Sequence, residues 1–201
     1  MNSLIITTNL MARLHLIAAL SAAFTVAGCG GIPINEVKAA LSAVKPCCVG
    51  YDSVQFAALT IGSRSKFTLS TASQAMPTSE GLAYFAAYRL PQGGTQLEVQ
   101  ALNTEYLPKS TYPDPLLLVL DASYKVISEI KDLPLRQGRH TIFPGIFENH
   151  YKAIVTLPAN SHYILVFGRP NSDRNQSATS DNGSLWTVPS APVGTLALIP
   201  I

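Results

Sequence analysis

The chain has 201 residues, of which 47% are apolar and 13% charged, and its formal net charge is +2. That balance supplies ample material for one core and excludes wholesale disorder, which needs low hydrophobicity and high net charge. No basic cluster stands out, so a nucleic-acid partner is not expected, and fourteen prolines with thirteen glycines imply many turns and few long helices.

The first 28 residues read as a leader rather than as part of the fold. Arg13 supplies a positive start, and Leu14 to Phe24 is mostly apolar, broken by His15 and Ser21. Val26-Ala27-Gly28-Cys29 closes the run. Residues 1–10 carry no positive side chain, so a start at Met11 makes the better leader. Small residues suit the narrow pocket of a signal peptidase, and a cysteine just after the cut can take lipid on its thiol. The four-residue stretch resembles the lipobox of bacterial lipoproteins. The apolar run is short of the roughly 20 residues a membrane span needs. The expected division is a lipoprotein signal peptide over 1–28, a lipidated tether over 29–46, and a β-sandwich domain over 47–201. Acyl chains on Cys29, worth about 0.8 kcal/mol per buried methylene, would anchor the chain to the lipid bilayer. Gly30 in place of Asp resembles the signal for outer-membrane sorting, which places the chain in the bacterial envelope, facing the periplasm.

In the tether, Ile34, Val37, Leu41 and Val44 recur at helical spacing, which predicts a short helix with Asn35 as a candidate cap and Pro46 as its end. Cys47 and Cys48 follow. Consecutive Cα atoms lie about 3.8 Å apart across a trans peptide, short of the usual disulfide separation of about 4.4–6.8 Å. That favours two unbonded small side chains, one in the core and one at a turn, over a vicinal disulfide, and both over a catalytic dithiol.

From Val54 onward the period changes to two. Val54, Phe56 and Ala58 alternate with polar or small residues, as do Phe67 and Leu69. Leu82, Tyr84, Ala86, Tyr88 and Leu90 line one face of a long strand. Residues 96–101 read as a half-exposed strand, and Leu116–Leu120 as one covered on both faces. Tyr151 to Leu157 alternates again, His162 to Phe167 is nearly all apolar, and Thr195 to Ile201 makes a last strand. Leu90-Pro91 and Leu157-Pro158 each sit between an incoming and an outgoing strand, a pattern read as two hairpins. Arg169 to Ser184, rich in Asn, Ser, Asp and Gly, reads as a mobile surface loop. The expected architecture is an all-β antiparallel sandwich preceded by a short helical tether. Leu97, Val99, Leu118, Leu120, Val155, Leu165 and Val166 are expected in its core.

No nucleophile, phosphate-loop or dinucleotide motif is present. His140, His150 and His162 lack ligand spacing, so neither a metal nor a cofactor is expected. Asp114 and Asp121 read as local Asx-turn residues. A catalytic role is not expected. Sugars stack their apolar faces on exposed rings, and Trp186, Tyr106 and Tyr112 lie in polar or Pro-rich stretches that suit such a platform. The competing reading is that each plugs an end of the sandwich. Tyr84, Tyr88, Phe85, Tyr163 and Phe167 are expected inside.

The ordered set Cys47-Cys48, Phe56, Leu59, Phe67-Thr-Leu, Leu90-Pro91, Leu97-Glu-Val99 and Pro115-Leu-Leu-Leu-Val-Leu-Asp121 resembles the maltose-operon periplasmic protein family. Tyr163-Ile-Leu-Val-Phe167 and Pro192-Val-Gly-Thr-Leu-Ala-Leu-Ile199 continue the resemblance, which spans nearly all of residues 46–201. It implies a periplasm-facing β-sandwich that serves maltose or maltodextrin use without catalysis, and it brings no binding residues with it. The chain departs from that family in carrying a lipobox and in lacking a Pro/Ala-rich extension and helical tail beyond Ile201. The expected function is a lipid-anchored accessory to carbohydrate uptake, binding glucan or a transport partner. The alternative is a structural or assembly lipoprotein that recognises an envelope protein.

Overall fold

The computed structural model describes residues 33–93, 96–103, 110–143, 146–180 and 182–201. The leader, Cys29 and Tyr106 lie outside the described residues. Among the described residues, helix α1 (Ile34–Ala43) is followed by one 3₁₀ turn at Tyr51–Ser53 and fourteen strands. These are β1 (Ala57–Ala58), β2 (Ser65–Leu69), β3 (Ala75–Thr78), β4 (Gly81–Arg89), β5 (Gln96–Leu102), β6 (Tyr112–Pro113) and β7 (Pro115–Leu120). Then come β8 (Val126–Ile130), β9 (Arg136–Phe143), β10 (Ile146–Thr156), β11 (Tyr163–Gly168), β12 (Asn175–Thr179), β13 (Leu185–Ala191) and β14 (Gly194–Pro200).

A six-stranded sheet runs β1-β4-β11-β7-β8, with β3 also on β4. A five-stranded sheet runs β2-β14-β5-β10-β9, and a small third sheet runs β12-β13-β6. Pairing is antiparallel except for β1 on β4 and β6 on β13. The described residues form an all-β sandwich with one short helix at its N-terminal side.

Alternation decides which side chains meet. Leu97, Val99, Tyr151, Val155, Leu196 and Leu198 of the five-stranded sheet face Tyr84, Tyr88, Leu117, Val119, Ile164 and Val166 of the six-stranded one. A second core lies on the other face of the six-stranded sheet, where Phe85, Ala87, Leu116, Leu118, Leu120, Leu165 and Phe167 pack with Val54 and Met76. Two-sided cover explains the unbroken apolar run of β7, and Leu97, Val99, Leu118, Leu120, Val155, Leu165 and Val166 are all buried, as expected. Leu118, in the outer core and 7% exposed, makes a direct test. Its truncation to alanine is expected to cost about 2–5 kcal/mol in chemical unfolding, and a loss under about 1 kcal/mol would mean that this face is not a core.

Several expectations are corrected. The helix starts after Pro33 and ends at Ala43, before Pro46, and it has no side-chain cap, so Asn35 sits inside its first turn. Val37 and Leu41 are buried in the inter-sheet core, and the helix forms one compact unit with the strands, over Pro33–Ile201. The two Leu-Pro units are not hairpins. β4 and β5 lie in different sheets, as do β10 and β11. Alternation tells a strand which face to bury but not which sheet to join, and Leu90 and Leu157 turn into the inter-sheet core as the chain crosses. The period-two run from Val54 forms a strand only at Ala57–Ala58. The stretch expected to be a mobile loop carries β12, paired with β13 from Asn175↔Pro189 to Thr179↔Leu185.

Candidate functional site

Residues 47–56 form a strap across the outer face of the six-stranded sheet. Cys47 and Cys48 are joined by a disulfide, with Cα atoms 3.7 Å apart. The unbonded reading is thereby corrected, because the usual separation describes partners from separate segments, whereas neighbours close a small ring around their own peptide. The Cys47 N–H donates to the Ala75 carbonyl at 3.0 Å. Beyond it Cys48, Tyr51, Val54 and Phe56 pack on the outer core. Burial, and then the negative charge of Glu129 on β8, hold the Tyr51 phenol above its ordinary range.

The strap ends beside two further rings. Tyr163 opens β11, opposite Arg89 of β4 and Leu120 of β7. Tyr124 sits in the β7–β8 turn. There the Asp121 carboxylate accepts N–H bonds from Ser123 at 2.8 Å and Lys125 at 2.9 Å, the Asx role its sequence context predicts. This turn holds Tyr124 at φ 62°, in the left-handed region. A bulky residue there is a true outlier, and such outliers gather at functional sites.

The three rings form one cluster. Centroids are 4.5 Å apart for Phe56 and Tyr163, 4.7 Å for Tyr124 and Tyr163 at an interplanar angle of 17°, and 5.9 Å for Phe56 and Tyr124. All three are partly exposed. The Tyr163 hydroxyl donates to that of Tyr124 at 3.4 Å. This bond and the Tyr163 charge hold the Tyr124 phenol above its usual range, with Asp52 pushing the same way and Arg89 opposing. His162 adds an exposed ring 6.4 Å from Tyr163. The cluster thus joins three partly exposed rings to an exposed imidazole, the kinds of group that can stack on a sugar's C–H face and bond its hydroxyls.

The residues singled out from sequence fare differently. Tyr112 is fully buried, edge-on to Tyr151 at 5.2 Å, so it plugs the core and offers no surface. Trp186 is partly exposed on β13, opposite the buried Ala178. Among the described residues, neither ring stacks on the other. Tyr163, expected inside, is half-exposed, because it starts its strand at the sheet's end.

Sequence reading also missed Asp114, which is not a local turn residue. It is fully buried at the opposite end of the six-stranded sheet, bound by Ser172 Oγ at 2.6 Å, Arg169 Nη1 at 3.1 Å and Arg174 Nη1 at 3.4 Å. Arg169 also grips both Glu80 oxygens at 2.7 and 2.8 Å and Asp132 at 2.7 Å. The outer face of the five-stranded sheet carries a third polar group, in which Arg64 and Lys66 both pair with Glu148, and Lys152 reaches Glu98 at 3.5 Å. Its charges satisfy one another, so it reads as a solvated, self-paired face. No protein-family model, curated protein or solved structure matches the chain.

Proposed function

We propose that the protein is a lipid-anchored envelope β-sandwich, of the kind the maltose-operon periplasmic family suggests, that binds glucan at the Phe56–Tyr163–Tyr124 cluster as an accessory to maltodextrin uptake. The observation that carries this reading is Tyr124. A turn built on Asp121 holds a large ring in a backbone conformation better suited to glycine, stacked on Tyr163, whose partner on β4 is Arg89. Weak affinity is expected from rings that are only partly exposed. Calorimetric titration of the chain with maltodextrins should give heat of binding at millimolar sugar, and its absence would count against direct recognition.

Anchoring rests on Cys29. Among the described residues no helix is long and apolar enough to cross a membrane. If lipid on Cys29 is the anchor, replacing Cys29 by serine should move the protein from the membrane pellet to the soluble fraction. A variant that still pelleted after a high-salt wash would refute the anchor.

One observation favours the second reading, an assembly protein that recognises a partner through an edge strand. β9 is the edge of the five-stranded sheet, and a shallow groove of about 450 Å³ runs beside it, lined by Gln137, Gly138, Arg139, Thr179 and Ser180. An extended segment could pair with such an edge. A chain that bound no glucan but retained an envelope protein in crosslinking, with the loss of that crosslink on substitution of Gly138 by proline, would favour this reading.

A further inference from the structure

We propose that the Cys47–Cys48 disulfide is a thiol-exchange site, and that opening it releases the strap from the outer face of the six-stranded sheet. This goes beyond glucan binding and does not depend on it. Three observations converge.

The first is accessibility. Cys47 is exposed, whereas Cys48 is half-buried against the cluster that holds Tyr51 and Phe56. An incoming thiolate therefore has its approach at Cys47 Sγ. The second is what the bridge can stabilise. A bond between neighbours closes no long loop, so it removes little entropy from the unfolded chain. Its effect is confined to the backbone it fixes, and that backbone carries the Cys47 N–H bound to Ala75. The third is how little else holds the strap. Among the described residues, that bond is the only backbone hydrogen bond joining residues 47–56 to a sheet; the remaining ones stay within the strap, from Ser53 to Gly50 and from Val54 to Tyr51. The other attachments are the apolar contacts of Cys48, Tyr51, Val54 and Phe56, all in the outer core and none in the core between the sheets.

The chemistry closes on a dithiol donor, such as an oxidoreductase of the Cys-x-x-Cys class. Its thiolate attacks Cys47 Sγ, the Cys47–Cys48 bond breaks, and the Cys48 thiolate takes a proton. The donor's second thiol then attacks the mixed disulfide and releases the Cys47 thiol. Two electrons pass to the chain, and the donor leaves as a disulfide. The strap then opens locally, Phe56 leaves Tyr163, and the sandwich persists.

The test uses the whole chain in native buffer, with dithiothreitol as the dithiol probe, alkylation and peptide mapping to locate the thiols, and hydrogen exchange to follow the backbone. The expected result is alkylation of both Cys47 and Cys48 without denaturant, with amide exchange across 47–56 faster by about tenfold or more and that of β4, β7 and β11 unchanged. The Cys47→Ser, Cys48→Ser double variant should show the same fast exchange without reductant. A disulfide that resists reduction until denaturant is added would overturn the proposal. So would exchange over 47–56 that stays at its oxidised rate, or a rise that spreads to β7, which would make the bridge a support of the whole fold.

Discussion

Replacing Arg169 by methionine is expected to lower stability by about 3 kcal/mol, the lower end of the range for breaking a buried ion pair. The loss arises less from the contacts removed than from the charge left behind. Asp114 has no exposed surface, and without Arg169 it keeps, among the described residues, Arg174 at 3.4 Å and the Ser172 hydroxyl. Glu80 and Asp132 lose their common partner at the same time, although the exposed Asp132 contributes little. The pH dependence gives the mechanism away. Burial already holds the Asp114 carboxyl above its ordinary range, against the pull of Ser172, Arg174 and Arg169. A raised folded-state value means that stability present at acid pH is lost as pH rises through it. Removing Arg169 raises that value further. Asp132 works in the opposite sense in the native chain, since the hydrogen bond from Arg169 holds its carboxyl low and its contribution fades on acidification. Both effects narrow the gap between native and variant chains as pH falls from 7 toward the carboxylate range. Thermal melts over that interval check this, and parallel profiles would mean that Asp114 is not the seat of the loss.

Much of the fold is legible in the alternation of side chains, and the places where reading failed share a physical cause. β5 and β10 declare themselves because Leu97, Val99, Tyr151 and Val155 point one way while Glu98 and Lys152 point the other. β7 declares its two-sided burial by having no polar residue at all. β12 is silent, because Asn175–Thr179 buries only Ala178 and its strand character comes from pairing with β13. The sheet crossings at Leu90 and Leu157 are equally silent, since a strand's period is the same in either sheet.

The candidate site was harder still. Tyr124 stands alone in a short turn, and nothing in Asp121-Ala-Ser-Tyr-Lys125 marks its ring for stacking. Its partners come from Phe56, 68 positions before it in sequence, and from Tyr163, 39 positions after it, brought together by strand order. Asp121 was the one legible signal, as an Asx turn that fixes the backbone. Tyr112 lies in a polar, Pro-rich stretch yet is buried, because composition reports surroundings in the chain rather than in space, whereas Trp186 keeps part of its surface. The vicinal bridge lies outside the usual Cα separation of disulfides, which describes partners from separate segments.

The claim that the Tyr124 cluster is the glucan surface is tested most directly by comparing two single variants with the native chain in the same maltodextrin titration. Tyr124→Gly is the informative one. Glycine accepts φ 62° without strain, so the loss of ring packing on Tyr163 is offset, and the variant should stay folded with its melting temperature within a few degrees of native. The native chain and Trp186→Ala should both release heat at millimolar sugar, while Tyr124→Gly should release none. A folded Tyr124→Gly chain that bound as tightly as native, or loss of binding in Trp186→Ala alone, would contradict the account and return the site to the β12–β13 hairpin.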